Sequence, residues 1–147
     1  MKQTARALII NQKKQFYMLV HNYYNPKHKG KWSTVGGLIE EDDISEAACL
    51  KREITEEFGQ IAAKKMHILS KVSSIRWVDE YDKNNLVLHH FYHVEYRGNE
   101  LVPNKPDEII EGRFLNWGEL QKLKIQNKLF FGCEDELFFK ITLIDSD

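Results

Sequence analysis

Glu53, Glu56 and Glu57 stand three and four residues apart near the end of Gly36–Gly59 (GGLIEEDDISEAACLKREITEEFG). On a helix turning about 100° per residue, the three carboxylates fall within roughly one 100° arc. Leu50, Ile54, Ala47 and Phe58 fill the neighbouring arc, the side such a helix turns to a core. Like charges at these spacings cost roughly a few tenths of a kcal/mol per pair, so something must offset the repulsion. A divalent cation does so, and all-oxygen ligation selects Mg²⁺, Mn²⁺ or Ca²⁺ over zinc. Mg²⁺ takes one or two protein carboxylates and completes its shell with water and substrate phosphates. A Gly-Gly turn at Gly36-Gly37 permits close backbone approach, so a carbonyl there can reach the same ion. The competing reading is a solvated acidic face on which Lys51 and Arg52 pair with the glutamates.

A second cluster is basic. His21–Lys31 (HNYYNPKHKGK) concentrates His21, Lys27, His28, Lys29 and Lys31 just before the two glycines. Positive charge there draws phosphates toward an acidic metal site, and the same residues serve equally as an ordinary solvated loop. Tyr23, Tyr24 and Trp32 offer faces on which a base can stack. Trp32 is the substrate-binding candidate among them, with a core role as its alternative. His89, His90 and His93 suggest zinc, but on a strand His89 and His93 share a face while His90 points away. With no third ligand in view they read as structural. Cys49 has no base at a readable spacing and is not read as a nucleophile.

The elements that must position these groups are short. Thr4–Ile10 and Gln15–Val20 read as a hairpin, Trp32–Ile39 as a β-like segment, and Ile44–Phe58 as a helix stopped by Gly59. Met66–Val78 and Leu86–Tyr96 read as strands joined by Asp79–Asn85, and Ile109–Asn116 as a further strand. Trp117–Leu123 and Asp135–Ile144 read as short helices, the last aromatic enough to be a strand instead. Strands on both sides of one central helix give an α+β domain.

The chain of 147 residues, 42% hydrophobic and 29% charged, fits one globular domain spanning 1–147. A net charge of −1 supplies no global attraction for nucleic acid. Cys49 and Cys133 cannot build a disulfide framework, and no apolar run approaches the roughly 20 residues of a membrane helix. The apolar run Ala7–Ile10 is too short for a signal peptide. These features point to a cytoplasmic protein with no membrane or nucleic-acid partner, monomeric or homodimeric.

The run Gly37…Arg52-Glu53-Ile54-Thr55-Glu56-Glu57-Phe58-Gly59 resembles the Nudix box, G-x5-E-x7-R-E-U-x-E-E-x-G-U with U apolar. The half from Arg52 to Gly59 matches at every specified position. Trp32 with Gly36-Gly37 resembles the family's W-x-x-P-G-G entry, and Phe114–Leu120 (FLNWGEL) its C-terminal signature. Val35 stands where proline is usual, and Gln60 where an apolar residue is usual. One extra residue lies between Asp43, at the position of the box's first acid, and Arg52. A loop absorbs such an insertion cheaply.

The resemblance implies a Nudix-type α/β/α sandwich with a mixed β-sheet and a central catalytic helix. It also implies metal-dependent hydrolysis of a nucleoside diphosphate linked to another group. Carried over by position, Glu53, Glu56 and Glu57 are metal ligands, joined by the Gly37 carbonyl, with Mg²⁺ as the cofactor and Mn²⁺ as a substitute. Arg52 orients the glutamates. Glu108 is the first candidate for the general base, with Glu111 or a box glutamate as alternatives, and His21 and Lys27 are substrate-binding candidates. Motifs associated with ADP-ribose and dinucleoside-polyphosphate hydrolases are missing beyond the box. The expectation therefore leans toward nucleoside triphosphates, damaged ones included. The alternatives are an ADP-sugar pyrophosphatase, an isomerase on the same fold acting on isoprenoid diphosphates, and a nucleotide-sensing domain without catalysis.

Overall fold

The computed structural model describes residues 1–22, 26–78, 84–104 and 108–144. Tyr23 and Tyr24 of the basic loop, and residues 79–83 of the connection read as a turn, lie outside the described residues. The strands are β1 (Lys2–Asn11), β2 (Phe16–His21), β3 (Trp32–Ser33), β4 (Val35–Leu38), β5 (Met66–Val78), β6 (Leu86–Tyr96) and β7 (Ile109–Leu115). The helices are α1 (Glu46–Phe58), α2 (Gln60–Ala63), α3 (Trp117–Ile125) and α4 (Glu134–Ile144). Among the described residues no helix is long and apolar enough to cross a membrane.

The sheet runs β3-β2-β1-β6-β5, with β4 also paired to β1 and β7 to β2. It is mixed: β1 and β6 run parallel from Lys2↔Val87 to Asn11↔Tyr96, while β1–β2, β1–β4, β2–β7 and β5–β6 are antiparallel. β1 is buried on both faces, which is why Ala7–Ile10 is a continuous apolar run rather than an alternating one. Its alternate side chains divide the core. Ala5, Ala7 and Ile9 pack with Leu50, Ile54 and Phe58 of α1, while Leu8 and Ile10 pack with Leu120 of α3 and Leu137, Phe138 and Ile141 of α4. The result is the α/β/α sandwich that the resemblance implied.

Local chemistry sets the ends of α1. Ser45 is the N-cap, its side chain accepting from the Ala48 N–H at 3.0 Å, so the helix starts two residues later than the pattern predicted. Ile44 is left outside it and exposed. At the other end Gly59 has φ +87°, where a Cβ is strained, and its N–H donates to the Thr55 carbonyl at 2.8 Å. α2 follows directly and was not anticipated; exposed Gln60, the departure from the box's last apolar position, is its first residue. At the C-terminus the helical alternative holds, because Leu137, Phe138 and Ile141 form one apolar face on the sheet.

One expectation about the glycines is corrected. Gly36 and Gly37 are not a turn but lie within β4, opposite Arg6 and Ala5 of β1. Neither has a positive φ. Their smallness serves close approach: a Cβ on Gly36 would overlap the Ala5 carbonyl, and one on Gly37 would overlap the Glu53 carboxyl.

Candidate active site

Arg52 organises the acidic end of the molecule. Its Nε and one terminal nitrogen donate to the two Asp43 carboxylate oxygens at 3.1 and 2.9 Å, a fork-to-fork pair. The same terminal nitrogen donates to the Leu38 carbonyl at 3.1 Å. The other terminal nitrogen reaches Glu53 at 3.0 Å and Glu56 at 3.3 Å. Hydrogen bonding from Arg52, then from the Glu40 backbone N–H, holds Asp43 down to about 2. In return the Asp43 bond, with the Glu53 and Glu56 carboxylates, raises Arg52 above its ordinary range. Asp43 thus takes the place of the box's first acid despite the inserted residue. Lys51, the other cation of the ion-pair-ladder reading, makes no ion pair among the described residues.

The three box glutamates present a graded series. Glu56 has a side chain 46% exposed, Glu53 one 18% exposed, and Glu57 is buried. Glu53 lies against Gly37 in the space that a larger residue would fill. Glu57 turns inward toward Tyr17, whose hydroxyl donates to the Leu101 carbonyl at 3.2 Å. Burial, and then the charge of Glu57, pushes the Tyr17 phenol above its ordinary range. Among the described residues no group of three or more His, Cys, Asp or Glu side chains is placed, as it stands, to hold a metal ion. The donor set nevertheless fits a hard cation. It is all oxygen, it is graded from buried to exposed, and Gly37 keeps backbone and carboxylate in contact, as an ion retaining several waters requires.

The remaining candidates fall at different places. His21 ends β2 opposite Ile109, and the Asn22 N–H donates to the Glu108 carbonyl at 2.8 Å, so His21 and exposed Glu108 share one sheet end. Ile109 packs in the layer beneath α1. Glu111 is opposite Val20 on the other face and lies 3.3 Å from Arg113, which separates it from the box. Lys27 is exposed in a 3-10 turn, Pro26–His28. Trp32 is 8% exposed in the layer under α3 and α4, with the Arg113 guanidinium 5.5 Å from its ring centre. The core alternative for Trp32 is the one observed, and its ring is not presented beside the box acids. Cys49 is fully buried, and burial with the Asp43 charge pushes its thiol up to about 11, which leaves it un-nucleophilic near neutrality. His89, His90 and His93 are buried, and His90 is hydrogen-bonded to Ser74 at 2.8 Å and Gln3 at 2.7 Å.

Fold and site together define a Nudix-fold protein with an intact box helix. The family model for the NUDIX domain matches residues 1–131, and the chain belongs to that family. It is a Nudix hydrolase, a pyrophosphohydrolase of nucleotide derivatives. The fold is shared with the MutT protein from Methanosarcina mazei Go1 (TM-score 0.72, 21% identity, 96% of this chain and 94% of that one). It is shared with a C. elegans Ap4A hydrolase, solved as a binary complex (TM-score 0.73, 14% identity, 98% and 97%). It is shared too with the NUDIX domain of Shewanella oneidensis NrtR, solved with ADP ribose (TM-score 0.70, 12% identity, 98% and 88%). No curated protein sequence matches the chain.

Proposed function

We propose that the whole chain, 1–147, is one Nudix domain that cleaves the di- or triphosphate of a small nucleotide, with nucleoside triphosphates, damaged ones included, as the favoured substrates. The observation that carries this reading is the Arg52 fork, which fixes Asp43, Glu53 and Glu56 around one guanidinium beside Gly37. Glu53, Glu56, Glu57 and the Gly37 carbonyl would hold Mg²⁺, or Mn²⁺ in its place. When bound, such an ion neutralises phosphate charge and lowers the pKa of water so that it can attack phosphorus near neutral pH. Arg52 keeps Glu53 and Glu56 oriented, so less is lost in ordering them when substrate arrives. Glu108 is the proposed general base, favoured over Glu111 because Glu111 lies on the opposite sheet face. His21, beside Glu108, and Lys27 are proposed to meet the phosphates. Two free thiols agree with a reducing cytoplasm; the substrate is a small molecule rather than nucleic acid, and the protein works as a monomer or homodimer.

The second reading is a nucleotide sensor or an ADP-sugar pyrophosphatase, favoured by the likeness to a NUDIX domain solved with ADP ribose. Phosphate release over a panel of nucleoside triphosphates, ADP-ribose and dinucleoside polyphosphates, with and without Mg²⁺, separates the readings. Glu57→Gln should lower magnesium-dependent turnover at least about a hundredfold, as loss of a group placed to act on the transition state does. Turnover unchanged by that substitution defeats the assignment of the box glutamates, and nucleotide binding without turnover favours the sensor.

A further inference from the structure

We propose that Glu46 is a positioning residue for the box: it pins the first turn of α1 to β5 and β6 and thereby holds Glu53 at Gly37. The proposal rests on the reading of Glu53 as a metal ligand and adds a residue outside the donor set. Glu46 is the first residue of α1. One of its carboxylate oxygens accepts from the Tyr92 hydroxyl of β6 at 2.6 Å and from the Lys71 ammonium of β5 at 2.9 Å. His90 of β6 lies 3.5 Å from the same oxygen. Its Nε2 is 2.7 Å from the Gln3 amide oxygen, which only accepts, so that nitrogen carries the ring proton. Nδ1 then accepts from the Ser74 hydroxyl at 2.8 Å. Burial, against the pull of the Glu46 charge, lowers His90 and keeps the ring neutral. The Glu46 carboxylate therefore takes its donors from Tyr92 and Lys71. Burial alone would raise it, and those two bonds hold it below its ordinary value.

Stability is a poor account of this cluster. A half-exposed Lys–Glu pair contributes little, and Leu50, Ile54 and Phe58 already pack α1 on the sheet. What apolar packing lacks is direction. It sets the depth of the helix but resists rotation about its axis weakly, whereas two charge-assisted hydrogen bonds fix that rotation. Glu46 and Glu53 are seven residues apart, two turns along and within about 20° of one another around the axis. A rotation that draws Glu53 off Gly37 must therefore drag Glu46 off Tyr92 and Lys71. At the roughly 5 Å radius of a helix with its side chains, a turn of about 20° displaces a carboxylate by about 2 Å. A working constellation tolerates only about 0.5 Å.

The far end of the network reaches the same glycine. Gln3, which accepts from His90, lies on β1, and its backbone carbonyl accepts from the Ile39 N–H at 2.9 Å. The neighbouring Leu38 carbonyl accepts from Arg52 at 3.1 Å. Ala5, two residues beyond Gln3, is the register partner of Gly37. The helix and the glycine strand are thus tied to one polar network, α1 through Glu46 and β4 through β1.

The test measures Mn²⁺ binding to the nucleotide-free chain by calorimetry, beside metal-free crystal structures of the same variants. Glu46→Ala should weaken Mn²⁺ binding about tenfold, within the range for losing a group that orients metal ligands. Its crystal structure should show the Glu53 carboxyl displaced from Gly37 by about 1 Å or more. Glu46→Gln keeps an acceptor for Tyr92 and Lys71 but removes the charge, so its affinity should stay within about threefold of the parent. Tyr92→Phe, which keeps the ring, should fall between the two, and it decides the matter if Glu46→Ala does not fold. Equal losses in Glu46→Gln and Glu46→Ala would mean that Glu46 acts only through its charge on the ion, and overturn the positioning role. So would folded Glu46→Ala or Tyr92→Phe that binds as the parent does, or a Glu53 carboxyl left in place. A parent that takes up no Mn²⁺ removes the metal reading instead, and the crystal structures still decide whether Glu46 holds Glu53.

Discussion

Arg52 sits where four constraints meet: two oxygens of Asp43 on one side, Glu53 and Glu56 on the other. Without Asp43 the guanidinium is free to swing wholly to the glutamates, and Glu53 loses its fixed approach to Gly37. Asp43→Asn keeps the shape but removes the charge that anchors Arg52. It should lower magnesium affinity or turnover by roughly 10–100-fold, as loss of a group that orients metal ligands does, read from the magnesium dependence of phosphate release. Restoration of the charge by Asp43→Glu should recover part of the loss, which a merely structural defect would not allow. The sequence shows the type and position of this acid, but its bond to Arg52 depends on how the inserted loop residue is absorbed. Glu111 is a parallel case. Spacing from Phe114 puts it second to Glu108 without saying which face it takes, and the register Val20↔Glu111 turns it to the face away from α1.

Elements with local signals were the legible ones. The strong helix formers of α1, Gly59 as its stop, and the apolar runs of β1, β5 and β6 are all local, and each element appears where periodicity puts it. The start of α1 moves because Ser45 caps it, and that cap carries its own test. Ser45→Ala removes the bond to the Ala48 N–H at 3.0 Å and should cost about 1 kcal/mol of stability by urea denaturation. A loss near zero would mean that water replaces the cap without penalty. Less legible was what depends on distant partners. The parallel pairing of β1 with β6 joins Lys2 to Val87, and no local pattern encodes it. Trp32 could be placed in core or cleft only once the sheet face was known. α4 carries Phe138, Phe139, Ile141 and Thr142, β-prone types that adopt helix because one side of it meets the sheet.

Across the whole molecule the sheet separates two electrostatic regimes. On the α1 side carboxylates are paired with Arg52 and reach solvent; on the other, Glu134 is fully buried and His89 is buried against Trp77, Phe91 and Phe131. Burial, and then the Arg6 charge, lowers His89 to about 3, so the folded protein refuses a proton that the unfolded chain accepts below about 6.5. Its contribution to stability is therefore present above about pH 6.5 and lost as pH falls toward 3. Glu134 has the opposite sign. Burial, opposed by backbone N–H donors, raises it to about 7 from 4.5. The folded state holds its proton more tightly than the unfolded chain, so that contribution is full below about pH 4.5 and lost as pH rises through 7. Glu134→Gln removes only the second dependence. The stability of this variant relative to the parent should be more favourable at pH 8 than at pH 5, measured by urea denaturation at both values, because only the parent carries a buried charge at pH 8. A difference that does not change with pH would mean that Glu134 ionises like a glutamate in water, and that its carboxyl is not held away from solvent at the start of α4.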